Sequence, residues 1–154
     1  MFKVHITSNS SPNPCAWPIE HGSANYQPNF KNNLKVLLAY DEVIGRKVLK
    51  VILKSLRVET LAVENGMEAI NLFHAGKSFD VILVALEMTE MSGIEVTRKL
   101  RSIGVTKTIA GLTVRSVDEV MQEFAEAGGD ILLTLPILRA TFIKLLEDVD
   151  VSLG

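Results

Sequence analysis

The chain has 154 residues, 47% of them apolar and 22% charged, which is enough to bury the core of one domain and too little for two. A net charge of −2 with no block of Lys or Arg leaves no basic stripe for a phosphate backbone, so nucleic-acid binding is a poor reading. The single cysteine, Cys15, makes neither an internal disulfide nor a multi-cysteine zinc site, and a reducing compartment, cytoplasmic and/or nuclear, is expected. The opening MFKVHITSNSS lacks the apolar stretch of a signal peptide and no run approaches the ~18 apolar residues of a membrane span, so no membrane association is expected.

Residues 1–33 hold four of the five prolines and six asparagines without periodic apolar positions, the composition of a flexible N-terminal extension. Within it Phe2, Val4 and Ile6 alternate with Lys3, His5 and Thr7 in the pattern of a short strand, and Trp17 offers an anchor onto a neighbouring domain. From Leu34 onward, short apolar runs alternate with amphipathic segments five times. Strands are predicted at 34–40, 58–63, 80–85, 108–113 and 130–134, and helices at 43–56, 66–75, 93–103, 117–127 and 138–149. Such alternation means a doubly wound parallel sheet with helices on both faces. Ser92 with Glu95 and Ser116 with Glu119 have capping-box spacing, and Gly76, Gly104 and Gly128-Gly129 follow predicted helices, where a left-handed residue commonly closes the last turn.

In an open parallel sheet, chemistry sits beyond the carboxyl ends of the strands. The residues there are Tyr40, Asp41 and Glu42 after the first strand, Ala85, Leu86 and Glu87 after the third, Thr113 at the fourth, and Leu135-Pro136 after the fifth. The stretches KVLLAYDEVIGRKVL, VENGMEAI, FDVILVALEMTEMSGIEV and TLPI resemble, in order, the start, the NG-x-EA turn, the phosphorylated-aspartate segment and the TKPI segment of response-regulator receiver domains. Position 85 lies 44 after Asp41, Thr113 lies 28 after that, and Leu135 lies 22 further on. The similarity spans about 34–149 and implies a receiver-like domain at 34–150, a flavodoxin-like (CheY-like) five-stranded sheet of order 2-1-3-4-5 with an N-terminal arm.

Carried over position by position, the resemblance puts the family's phosphoacceptor aspartate on Ala85, its first metal-binding acid on Tyr40 and its phosphate-pairing lysine on Leu135. Asp41 and the helper hydroxyl Thr113 are retained, and the switch aromatic falls on Leu132. Phosphoryl transfer needs a carboxylate nucleophile, a metal held by acids and groups on the phosphoryl oxygens. The nucleophile is absent. Asp41, Glu42 and Glu87 make only a weak metal set, so neither metal nor other cofactor is expected. Plainer roles are at hand as well: Asp41 as the N-cap of the first helix, Thr113 as an ordinary strand-end hydroxyl, and Glu87 and Glu90 as solvated loop acids. His74 at a helix end and two histidines in the arm make no ligand set, and the Leu135-Pro136 bond resembles the family's cis peptide.

The first predicted helix carries Ile44, Val48, Leu49, Val51, Ile52, Leu53 and Leu56, an arc of about half the circumference against the ~100° that core burial usually needs, with Val43 added beside it. Part of that arc is available to a partner, unless the helix is simply a wide core helix. The resemblance implies that this helix and the strand-end loops dock histidine phosphotransfer proteins or other two-component partners, with Val43, Ile44, Lys47 and Val51 as the contact residues. It is similar, more narrowly, to receiver-only (type-C) and pseudo response regulators of plant cytokinin pathways, so the expected function is a non-enzymatic decoy, scaffold or regulator. Two alternatives stand beside it: a phosphorelay member using a substitute acceptor such as Glu87, and a small flavodoxin-like enzyme or nucleotide binder. The second finds no G-x-x-x-x-G-K-[ST] and no G-x-G-x-x-G in the chain.

Overall fold

A computed structural model describes the backbone of residues 5–7 and the whole of residues 26–153. Its strands are β1 (His5–Thr7), β2 (Lys35–Ala39), β3 (Glu59–Val63), β4 (Val81–Ala85), β5 (Thr108–Thr113) and β6 (Ile131–Thr134). Its helices are α1 (Val43–Ser55), α2 (Gly66–His74), α3 (Gly93–Ser102), α4 (Val117–Glu126) and α5 (Arg139–Ser152). All strand pairs are parallel and the order is β1-β6-β5-β4-β2-β3. The five strands predicted from the sequence therefore stand in the expected order, and three residues of the arm add a sixth strand along β6, in the register His5 to Ile131.

Parallel strands buried on both faces read as continuous apolar runs, which is why VILVA and KVLLA were legible. Successive side chains feed opposite cores. Val36, Leu38, Leu83, Leu112 and Leu133 meet Leu49 and Leu53 of α1 and Phe142, Ile143 and Leu146 of α5. Leu37, Ala39, Ile82, Val84 and Ile109 meet Ala69 and Ile70 of α2, Val96 and Leu100 of α3, and Val120 and Phe124 of α4. Each fully buried leucine or phenylalanine contributes about 1.5–3 kcal/mol relative to exposure. The chain crosses in one direction from β2 to β3 and in the other from β2's far neighbour β4 onward, so right-handed crossovers send α1 and α5 to one face and the other three helices to the opposite one. That reversal between β2 and β4 opens a crevice at their carboxyl ends.

Several local expectations meet their geometry. Ser92 Oγ accepts from Glu95 N at 3.2 Å and caps α3, and Gly76, Gly104 and Gly128 all have positive φ. Ser116 precedes α4 as expected, yet its side chain makes no cap bond; Asp118 and Glu119 in the first turn supply the favourable charge instead. Helix α5 runs to Ser152, three residues beyond the predicted end at 149, because Asp150 is held in place by a distant segment. At the amino ends of the strands the Arg101 guanidinium joins the Gly128, Val105 and Lys107 carbonyls to the Asp130 carboxylate, 2.7 Å away, and this end is closed structurally.

Residues 26–33 lie against α1 and α5. Tyr26 and Phe30 pack on the first core, the Tyr26 hydroxyl donates to Glu147 at 3.1 Å, and Gln27 Nε2 donates to the Ser55 carbonyl. The buried Asp150 carboxylate accepts from Lys31 N at 2.7 Å and from Asn32 N and Nδ2, both at 2.9 Å. Trp17 and the rest of the extension lie outside the described residues. The Lys31 backbone N–H, ahead of the Asn32 donors, holds the Asp150 carboxyl below its ordinary 3.8, against the opposing effect of burial. A depressed folded value means that this clasp stabilises fully above pH 3.8 and fades as pH falls through the lowered value. Asp150→Asn is expected to lower the thermal midpoint at pH 7, with the midpoints of variant and parent converging as melts are taken below pH 3.8.

Candidate functional site

The crevice is built by four strand ends. Tyr40 continues β2, its N–H donating to the Val63 carbonyl at 3.1 Å, and its own carbonyl accepts from Arg46 Nη1 at 2.8 Å. Glu42, and not Asp41, is the N-cap of α1: its carboxylate accepts from Ile44 N and Gly45 N. Asp41 is drawn away because its Oδ2 accepts from Thr89 N at 3.0 Å and Thr89 Oγ1 at 3.3 Å, which ties the loop after β2 to the loop after β4. Gly45 is required by this packing, since a Cβ there would lie 2.8 Å from both Glu42 Oε2 and the Tyr40 ring.

Ala85 ends β4 at 2% exposure, and its carbonyl is in close contact with the start of α3: a Cβ on Gly93 would stand 2.3 Å from the Ala85 oxygen. Glu87 is not a free loop acid. Its carboxylate accepts from the Thr113 hydroxyl at 3.0 Å and from Val114 N at 3.1 Å, while Thr113 Oγ1 accepts from Arg115 N. Thr113 is fully buried and thus links the β4 and β5 ends, a role beyond that of an idle hydroxyl. Leu135 follows β6 through its N–H bond to the Thr113 carbonyl and precedes a cis bond to Pro136. Leu132 is fully buried in the core under α4.

Tyr40, Asp41, Glu42, Ala85, Glu87, Thr89, Leu112, Val114 and Leu135 thus share one cleft of about 390 Å³. Thr89, Leu112 and Val114 were not anticipated; nothing in their local sequence marks them, because only the pairing of strands brings them in. Burial first, then the charges of Glu42, Asp41 and Glu87, push the Tyr40 phenol above its ordinary 10.0. Magnesium would need oxygens converging at about 2.0–2.1 Å. Here Glu42 is turned to the α1 amides, Glu87 to Thr113 and Val114, and Asp41 to Thr89, and no metal-holding group of three or more His, Cys, Asp or Glu exists among the described residues. The donor set does not fit the ion. Along the outer side of α1, Val43 is 50% exposed, Ile44 71%, Val48 51% and Val51 68%, with Lys47 exposed beside them, whereas Leu49 and Leu53 are buried.

Comparison with known families matches residues 36–147 to the response regulator receiver domain. The chain belongs to the response-regulator receiver family. Among its relatives, the two-component response regulator ORR42 of rice is 37% identical over 114 residues, covering 73% of this chain and 83% of that protein. The response regulator ARR22 of Arabidopsis thaliana is 35% identical over 119 residues, covering 76% and 84%. Of solved structures, the chemotaxis protein CheY4 of Vibrio cholerae superposes with a TM-score of 0.71 at 27% identity, over 77% of this chain and 99% of that one. In this receiver domain Tyr40, Ala85 and Leu135 line the strand-end crevice together with Asp41. Among the described residues, no helix is long and apolar enough to cross a membrane.

The two tyrosines allow a direct check of the cleft's electrostatics. With Tyr26→Phe as background, the absorbance of Tyr40 phenolate is expected to appear at a midpoint above pH 10.0, and Glu42→Gln to move it part of the way back. Because the folded value is raised, the stability tied to this group is complete below pH 10.0 and declines as pH climbs through the raised value.

Proposed function

We propose that this receiver domain binds histidine phosphotransfer proteins, or related two-component partners, without accepting phosphate, acting as a decoy or regulator and not as an enzyme. One observation carries the reading: the floor of the crevice, where the family's nucleophile would stand, is the buried methyl of Ala85. A methyl group cannot attack a phosphohistidine, and the leucine at position 135 offers no charge to a phosphoryl oxygen. What the domain retains is a surface. The exposed apolar stripe of Val43, Ile44, Val48 and Val51 with Lys47 suits a helical partner, and the plant relatives support a role in plant two-component signalling, with cytokinin signalling in the cytoplasm or nucleus as the narrower reading.

Phosphorylated phosphotransfer protein or acetyl phosphate is expected to leave no label on residues 34–154, and Ala85→Asp alone to leave that result unchanged, because Tyr40 and Leu135 remain. Label found on Glu87 would replace this reading with the substitute-acceptor one.

Docking is tested at Val43. Half exposed on the first turn of α1, it should tolerate Val43→Asp at under about 0.5 kcal/mol. An unpaired charge buried in an interface costs several kcal/mol, and each ~1.4 kcal/mol is tenfold in affinity. At least a tenfold loss of phosphotransfer-protein binding is therefore expected by calorimetry, with circular dichroism unchanged. Undiminished binding by the variant rules out this surface, and absence of binding by the parent rules out the decoy role.

A further inference from the structure

The cleft has a composition that the lost phosphorylation chemistry does not explain. Its walls are Leu112, Val114, Leu135, Ala85 and the ring of Tyr40, and at about 390 Å³ it falls within the ~300–1,000 Å³ of sites that enclose small organic groups. Around it stand Asp41, Glu42 and Glu87. The ion pairs among the described residues are Arg46 with Glu64, Arg101 with Asp130, Arg115 with Glu119 and Lys144 with Asp148, so none of the three cleft carboxylates is neutralised by a cation there. A purely apolar guest would strip water from these acids without recompense, and an anion would be repelled.

We propose that the cleft receives the side chain of an arginine or lysine from a partner protein, its aliphatic stem against Leu112, Val114 and Leu135 and its charged head among Asp41, Glu42 and Glu87. Long basic side chains are built for this division, with an apolar stem and a polar tip. The Tyr40 ring adds a face on which a cation is held electrostatically. The bonds that spoil the cleft for magnesium do not spoil it for a guanidinium, which needs charge and free lone pairs in place of converging oxygens. Asp41 Oδ1 has no donor among the described residues, since both Thr89 bonds go to Oδ2. Glu42 also connects the cleft to the docking stripe, because it caps the helix whose exposed apolar residues begin at Val43. The inference names the chemistry of one partner residue and in that sense rests on the docking reading, but its test contains no partner.

Butylguanidinium chloride is titrated into the full-length ¹⁵N-labelled chain and amide shifts are followed, with butylurea as the uncharged control. Saturable shifts are expected at Asp41, Glu42, Thr113 and Val114, at least tenfold weaker for butylurea and suppressed by molar salt. The double variant Glu42→Gln, Glu87→Gln should weaken binding at least tenfold, and Leu135→Lys, which supplies a cation from within the chain, should abolish it; circular dichroism confirms folding, and the double variant alone decides if Leu135→Lys unfolds. Equal binding of butylurea, shifts scattered over surface acids, or undiminished binding by the double variant overturns the proposal. Val43→Asp enters none of these measurements, so failure of phosphotransfer-protein docking and failure of the cleft are read separately.

Discussion

Burial of β4 on both faces is the constraint from which the rest follows. All five residues from Val81 to Ala85 are buried, with β2 on one side and β5 on the other, so the strand has no freedom to shift its register. A one-residue slip would exchange the side chains that face the two cores, each of which is filled. The strand must then end where it does, and the chain must return over it within seven residues to start α3. Gly93 makes that return possible by lying against the Ala85 carbonyl. The position of Ala85 in the crevice is thus fixed by the packing of β4 between its neighbours and by the close approach of Gly93.

Around that fixed floor, polar groups make structural bonds. Glu87 bridges Thr113 and Val114, Asp41 bridges to Thr89, and Glu42 satisfies the first amides of α1. Each bond to a charged acceptor is of the stronger class, and those of Asp41 and Glu87 tie together the ends of different strands. The acids stay in the cleft, and burial first, then their charges, raise the pKa of the Tyr40 phenol.

How far the sequence discloses this depends on the range of each interaction. The strands of the domain were legible because both-face burial writes uninterrupted apolar runs, and Ser92 was legible because a cap acts over three residues. Asp41 and Glu42 are adjacent acids, each suitable as an N-cap, and the choice between them is made by Thr89, 48 positions from Asp41. Glu87 looked like a loop acid because its partners lie 26 and 27 positions away. The same holds for the last turn of α5, where Asp150 owes its place to Lys31 and Asn32. Ser116 shows the reverse: a local pattern can match a cap without the bond being made. The positions of Tyr40, Ala85 and Leu135 were legible as strand ends of an open parallel sheet, and the three do line one cleft.

The short strand β1 alters what the sheet presents to other molecules. With β1 paired to Ile131–Leu133, β6 is flanked on both sides and ceases to be the rim. A bare rim of unpaired amides and carbonyls is a template on which strands of neighbouring chains can add, and a short rim strand limits how far such addition can propagate. The arm therefore acts as a self-supplied cover for a sticky border, and a chain trimmed of its first seven residues would carry that border uncovered into every encounter with its own kind.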